Sequence, residues 1–308
     1  MPKCLVTGGA GFIGSHLVEG LLRKRFQVRI LDDFSTGHRA NIDPFASQVE
    51  IIAGSVTDPI QVARAVENCT FVFHLAALPS VAKSVEEPLP THDICATGTL
   101  LVLDAARKAK VDRVIYAGSS SAYGDQPGAA RTEEDALLPL SPYAAAKLAG
   151  EHYASCFTAV YALETVRLRF FNVFGPRQDP TSPYSGVIAL FIKAMLEGRV
   201  PTIFGDGLQA RDFIYIENVV QALIQAAQAP QAAGKVYNIG HGASVSLLEL
   251  VAALNQLLGT NIKPVHGPAR PGDIRLSQAD ISRARRDLGF DPKISFLEGL
   301  QRTLAACR

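Results

Sequence analysis

A 308-residue chain with 30 basic and 29 acidic side chains carries a formal net charge of +1, which excludes a global field drawing it to nucleic acid or to a membrane surface. No apolar run reaches membrane-spanning length, and a first strand starting at residue 3 is expected to leave no room for a signal peptide. Five scattered cysteines without a C-x-x-C pair, and seven histidines without an H-x-x-x-H or His/Cys cluster, predict a reducing, cytoplasmic setting and no metal site. Taken in chain order, apolar runs at 4–6, 28–31, 49–53, 71–75, 114–117 and 166–169 read as strands. Helical patterns fall between them at 15–24, 58–67, 97–110 and 143–160. This alternation predicts an α/β fold with a doubly wound parallel sheet.

From Asn172 the texture changes. Pro176, Pro180, Pro183, Pro201, Gly205 and Gly207 punctuate the chain into loops, with helical patterns at 186–197, 218–229, 247–258 and 296–307. Residues 1–171 are expected to form a nucleotide-binding domain. Residues 172–308 are expected to form a smaller α/β substrate-binding cap over the carboxyl ends of the strands, with segments crossing between the two.

Gly8, Gly11 and Gly14 follow the first strand and open the first helix. Glycines at those steps let the backbone turn tightly and approach a diphosphate, and the helix start offers free N–H groups to phosphate. Asp32 ends the second strand eighteen residues past Gly14, close to the spacing of about 20 expected for a ribose-binding carboxylate. Its charge would repel a 2′-phosphate, which favours NAD over NADP.

Ser119, Ser120 and Ser121 directly follow the fifth strand, where a hydroxyl could hold a reacting oxygen. Tyr143 and Lys147 are four residues apart, on one face of a helix. A tyrosine acting as a base at neutral pH needs its pKa of about 10 lowered by ~3 units, and a nearby ammonium and a cationic nicotinamide both favour the phenolate. Alone, Tyr-x-x-x-Lys is more often an accident of helix composition; beside the serine run it is not alone. His74 reads as a satisfied structural histidine.

With the glycine turn, Asp32, the serine run and Tyr-x-x-x-Lys in this order, the chain resembles the extended short-chain dehydrogenase/reductases. Within them it resembles the NAD-dependent nucleotide-sugar epimerases typified by UDP-galactose 4-epimerase. The resemblance implies a Rossmann domain, bound NAD and a catalytic set of Ser119, Tyr143 and Lys147, with Ser120 and Ser121 as alternatives to Ser119. It places the cofactor against Gly8, Gly11, Phe12, Ile13, Gly14, Asp32, Asp33, Phe34, Ser35, Gly37, Ser55, Val56, Leu75, Ala76 and Ala77, together with Tyr143 and Lys147. A UDP-hexose would meet Lys83, the three serines, Tyr143, Asn172, Gln178, Gly186, Val187, Phe204, Arg211, Arg270, Asp273 and Ser277, with Tyr184 and Ser185 beside Gln178. Arg211 and Arg270 match phosphate-binding arginines, and Phe204 should lie against the uracil.

Two positions depart from the family pattern. Ser55 stands where relatives have Asp, with Asp58 as a possible substitute, and Cys95 stands where they have Asn. The reaction implied is epimerisation at C4 through a 4-keto sugar. Dehydratases and decarboxylases of the family place an acid in the segment held here by Ser120-Ser121-Ala122, and non-catalytic NAD-binding members usually lack an intact Tyr-x-x-x-Lys. Ser277, matching a gatekeeper position, leaves room for a 2-N-acetyl group, so UDP-GlcNAc and UDP-GalNAc are expected beside UDP-glucose and UDP-galactose. A homodimer is expected, pairing the helices 97–110 and 143–160.

Overall fold

The computed structural model describes residues 1–128, 130–179, 186–269 and 274–307. The first half alternates strand and helix: β1 (Lys3–Thr7), α1 (Phe12–Arg23), β2 (Gln27–Asp32), β3 (Val49–Ala53), α2 (Pro59–Val66), β4 (Phe71–His74), α3 (Val81–Glu86), α4 (Pro88–His92), α5 (Gly98–Lys108), β5 (Arg113–Ser119), α6 (Pro142–Tyr161) and β6 (Glu164–Phe170). The second half is more broken: β7 (Asn172–Phe174), α7 (Val187–Leu196), β8 (Thr202–Phe204), β9 (Ala210–Arg211), β10 (Phe213–Tyr215), α8 (Ile216–Gln228), β11 (Val236–Ile239), β12 (Val245–Ser246), α9 (Leu247–Leu258), β13 (Val265–Gly267), β14 (Leu276–Ser277), α10 (Ser282–Leu288) and α11 (Phe296–Ala306).

Seven parallel strands make the central sheet in the order β11-β6-β5-β4-β1-β2-β3. Cys4, Leu5, Val6, Val114 and Ile115 are fully buried, as expected of strands covered by helices on both faces. This is the doubly wound Rossmann arrangement, with a smaller C-terminal part carrying its own short sheets. The strand order reverses between β1 and β4, so the carboxyl ends of these two strands border the crevice where such sheets bind ligands.

Two elements from the second half return to the large sheet. β11 pairs with β6, and α8 packs on α1 so closely that a Cβ on Gly20 would stand 2.7 Å from Val220. At the opposite end of the sheet, buried arginines satisfy helix-end carbonyls. Arg29 donates to Arg64, Ala65 and Glu67 at the end of α2, and Arg113 to Ala226, Ala227 and Ala229 at the end of α8.

The structure adds elements that the sequence pattern left as loops. Residues 81–86 and 88–92 are helical, with Pro88 in the first turn of α4, where a missing N–H costs little. A π turn, Asp93–Thr97, joins α4 to α5. Three small sheets lie beyond β6: β10–β7, β12–β9–β14 and β13–β8. Strands of two or three residues are too short to carry a period of two.

Candidate functional site

The glycine turn closes over the end of β4. Gly8 has φ +71°, and a Cβ there would come within 2.9 Å of the Ala76 backbone. A Cβ on Gly14 would meet the Gly8 carbonyl at 2.0 Å, so only hydrogen lets α1 sit on the turn. Gly11 is the N-cap of α1 and brings no capping side chain, which leaves the first-turn amides of Phe12, Ile13 and Gly14 without a side-chain acceptor.

Asp32 is buried at the end of β2, and its carboxylate holds two loops. One oxygen accepts from the Ala10 amide and the other from Phe34, each at 2.8 Å. Burial raises its pKa, and these two bonds oppose the rise. Gly37 packs against it, since a Cβ there would lie 3.0 Å from the carboxylate. Asp33 closes a local turn by accepting from the Ser35 amide at 2.9 Å. Ser55 turns to Thr57, at 2.9 Å. Asp58 is engaged as the N-cap of α2, accepting from the Ile60 and Gln61 amides. Val56 presses on Gly98, where a Cβ would come within 2.7 Å of it.

A directional chain of hydrogen bonds ties the glycine turn to the helices beyond. The Leu75 and Ala76 amides donate to Thr7 Oγ1, which lies 2.8 Å from His74 Nδ1. His74 Nε2 is 2.9 Å from Thr99 Oγ1, and Thr99 donates onward to the Cys95 carbonyl. Burial pushes His74 down to about 3, with the Lys147 charge adding to the effect. The ring is therefore neutral, and its structural reading holds. Ala77 packs at the edge of the cluster formed by Cys95, Ala96 and Ala146, beside Tyr143.

Ser119 ends β5, and its hydroxyl accepts from the Ser121 amide and from the Ser121 hydroxyl at 2.8 Å, forming a tight turn that carries Ser120 and Ser121. Of the three serines, it is Ser119 whose hydroxyl lies close enough to the Tyr143 phenol to favour its ionised form. Ser141 caps α6, and the Tyr143 amide donates to Ser84 Oγ at 3.1 Å. One turn on, Lys147 is 3% exposed, and its ammonium lies 4.5 Å from the centre of the Tyr116 ring. Among the described residues the ammonium makes no hydrogen bond, while the Lys147 carbonyl accepts from the Tyr116 hydroxyl at 2.8 Å. Burial lowers the Lys147 pKa.

Burial of the phenol works against its ionisation. Burial first, and the neighbouring Cys95 second, raise the Tyr143 pKa above its ordinary value, and the nearby Ser119 hydroxyl only partly opposes them. Desolvation of the phenolate outweighs what the Ser119 hydroxyl supplies.

The second half brings its residues to the same end of the sheet. Asn172 donates from its amide and side chain to the Asp212 carbonyl, at 3.0 and 3.3 Å. Arg211 and Ser277 are paired residues of β9 and β14. Gln178 and Gly186 are neighbours, since a Cβ on Gly186 would stand 3.0 Å from the Gln178 amide group; Val187 follows as the first residue of α7. Phe204 ends β8, half-buried. Lys83 lies exposed on α3, with Glu87 3.6 Å away. Arg270, Asp273, Tyr184 and Ser185 lie outside the described residues.

Sequence reasoning passed over several residues that organise this site. Asp212 is fully buried and accepts from the His241, Gly242 and Ala279 amides, so one carboxylate fixes the segments bearing Arg211 and Ser277. Its place directly after Arg211 was the only signal. The loop after β7 is fastened to α1: His16 Nε2 lies 2.9 Å from the Pro176 carbonyl, and Arg177 pairs with Glu19 at 2.7 Å. Glu151, four residues after Lys147, pairs with Arg169; that spacing, and the arginine inside an apolar strand, were legible.

A glycine cradle that excludes side chains, open amides at a helix start and a buried ammonium that finds no acceptor among the described residues fit a bound dinucleotide. A phenol beside a serine hydroxyl, with that ammonium one turn away, can move a proton at an oxygen held between them.

Residues 4–240 match the NAD dependent epimerase/dehydratase family. Over 306 residues the chain is 38% identical to a UDP-glucose 4-epimerase of Mycolicibacterium smegmatis, covering 98% of this chain and 97% of that protein. A solved UDP-N-acetylglucosamine 4-epimerase from Methanobrevibacter ruminantium, in complex with UDP-N-acetylmuramic acid, superposes with TM-score 0.95 at 38% identity, covering 99% of this chain and 98% of the other. The Thermus thermophilus UDP-glucose 4-epimerase in complex with NAD superposes with TM-score 0.89 at 35% identity, over 99% and 98% of the two chains. Among the described residues no helix is long and apolar enough to cross a membrane. Glycine turn, serine turn and Tyr-x-x-x-Lys lie at one end of a fold shared along its whole length with these enzymes, and the chain belongs to the NAD-dependent epimerase/dehydratase family of nucleotide-sugar enzymes.

Proposed function

We propose that the protein is a UDP-hexose 4-epimerase that interconverts UDP-glucose and UDP-galactose, and UDP-GlcNAc and UDP-GalNAc. The observation that carries this reading is the nearness of the Ser119 hydroxyl to the Tyr143 phenol, whose ionisation it favours, at the carboxyl end of β5 in a serine turn that holds no carboxylate. A dehydratase or decarboxylase needs a proton carrier that Ser120, Ser121 and Ala122 cannot supply.

In this reading the amides of Gly11 to Gly14 hold the NAD diphosphate and Asp32 faces the adenosine ribose. Gly37, Val56, Leu75, Ala76 and Ala77 line the cofactor, and Lys147 meets the nicotinamide ribose. When bound, NAD supplies a site that takes a hydride from sugar C4 and returns it. Tyr143 removes the proton from the sugar 4-hydroxyl and later gives it back to the 4-keto oxygen. Ser119 holds that oxygen, and the Lys147 charge favours the phenolate against the burial that disfavours it. Asn172, Arg211 and Arg270 keep the UDP moiety fixed, and Phe204 lies against its base. The sugar subsite, bounded by Gln178, Gly186 and Ser277, leaves space for the keto sugar to turn over.

The same reading takes residues 172–308, apart from α8 and β11, as the substrate cap. It takes the protein as a cytoplasmic homodimer pairing α5 and α6, whose Tyr153, Val160 and Tyr161 are exposed in the single chain. The decisive experiment is a side-by-side assay on the four UDP-hexoses with UDP-glucuronate as control. The expected product is the C4 epimer of each hexose; a 4-keto-6-deoxy sugar, loss of carbon dioxide from the glucuronate, or no turnover would reject it.

A further inference from the structure

Beneath the catalytic helix lies a buried ion pair that the proposed chemistry does not use. Glu151 and Arg169 are 4% and 2% exposed. The guanidinium donates to both carboxylate oxygens, Nε at 3.0 Å and one terminal nitrogen at 2.5 Å. Its other terminal nitrogen donates to the Tyr123 hydroxyl at 2.8 Å, and the guanidinium carbon lies 4.9 Å from the centre of the Tyr123 ring. Tyr123 ends the serine turn and donates in turn to Asn238 at 2.6 Å. One side chain therefore clasps the helix that carries Tyr143 and Lys147, and the turn that begins at Ser119.

Tyr143, Lys147 and Glu151 follow at four-residue steps on α6, so they share one face. The surroundings of this column are few. Lys147 faces Cys95 from the π turn, Tyr116 from β5 and His74 from β4. Tyr143 faces Cys95, Ser119 and Tyr116. Glu151 faces Lys147, Tyr116, Arg167 and Arg169. His74 is neutral, so among the described residues the charged groups facing the column are Lys147, Glu151 and the two arginines of β6. Arg167 is turned toward the Gly234 and Lys235 carbonyls, which leaves Arg169 as the direct partner of the carboxylate.

We infer that Arg169 is a positioning residue whose charge cancels that of Glu151, so that Lys147 acts undiminished on the Tyr143 phenol. This rests on Tyr143 being the proton carrier. Without the guanidinium, a bare carboxylate one turn below Lys147 would offset the ammonium and oppose the phenolate. In a water-poor interior, charges about 10 Å apart still interact strongly enough to shift a titration by on the order of one pH unit.

The test is a charge cycle on the NAD-loaded protein. Arg169→Met should move the acid limb of the pH–kcat profile up by about one unit. Glu151→Gln, which leaves the guanidinium uncompensated, should move it down. Glu151→Gln with Arg169→Met should return it to the native position, and Arg169→Lys should leave it there. If Arg169→Met does not fold, the Glu151→Gln variant and the neutral pair still decide the matter, since neutral replacements of buried pairs are commonly tolerated. The same cycle is read independently of turnover by the ultraviolet absorbance of phenolate, as the difference between each variant and its Tyr143→Phe counterpart. Opposite single shifts that cancel in the double variant support the inference. Losses of kcat with an unmoved titration, or shifts of one sign in both single variants, overturn it. Absence of sugar turnover would count against the proposed function alone, because the phenolate titration would still give its answer.

Discussion

Ser277 and Arg211 face each other as paired residues of β14 and β9, so the side chain that should bound the sugar and the one that should hold the diphosphate ride on one ladder. Asp212, next in the chain, holds the Ala279 amide at 3.0 Å and its own amide donates to the Ser277 carbonyl at 2.7 Å. The pocket wall is thus rigidly tied to the anchor.

That rigidity makes Ser277→Tyr a clean test of substrate range. The larger ring should suppress turnover of UDP-GlcNAc and UDP-GalNAc by about tenfold or more while sparing UDP-glucose and UDP-galactose within a few-fold, as expected for steric exclusion worth ~1–3 kcal/mol. Parallel kcat/KM measurements on both pairs check it. Equal losses on both would remove Ser277 from the sugar pocket.

The fastening of the loop after β7 to α1 should slow cofactor escape. Burial raises the Glu19 pKa, but the Arg177 hydrogen bond and charge outweigh it, and the folded value lies below the ordinary one. A depressed carboxylate stabilises the contact above its unfolded pKa and loses that contribution as pH falls through the folded value. Glu19→Gln should therefore raise the NAD off-rate several-fold at neutral pH. In acid, below the ordinary carboxylate range, the native and variant off-rates should converge. Release of NAD after rapid dilution measures both.

His74 predicts an acid-sensitive step in global stability. Its folded pKa is about 3 against an ordinary 6.5, so between those values the unfolded chain binds a proton that the folded chain does not. Stability should fall by roughly 1.4 kcal/mol for each pH unit below about 6.5 from this group alone. His74→Gln, neutral at all pH, should flatten the decline of Tm across that window even if it lowers Tm at pH 7. A parallel decline in both proteins would assign the acid sensitivity elsewhere.

The large sheet was legible because its strands are buried on both faces and read as unbroken apolar runs, as Cys4, Leu5 and Val6 do. The reacting side chains were legible because glycine steps and a four-residue Tyr–Lys spacing are local. What escaped depends on long-range pairing. β9 and β14 are two residues each and exist because Asp212 gathers three amides from distant segments. Arg169 reads as an oddity in an apolar strand until the fold sets it 18 residues away beneath Glu151. The four-residue spacing reports the lysine but not how deeply the Tyr143 ring is buried, and that burial raises its pKa.

The most direct test of the account compares native protein and Tyr143→Phe by NMR with UDP-glucose as substrate, alongside calorimetric binding of UDP. The native protein should form UDP-galactose, and the variant should lose turnover by roughly 10²–10⁴-fold while UDP affinity stays within about twofold, because the phenol acts on the proton and not on the anchor. Turnover in Tyr143→Phe comparable to that of the native protein would contradict it.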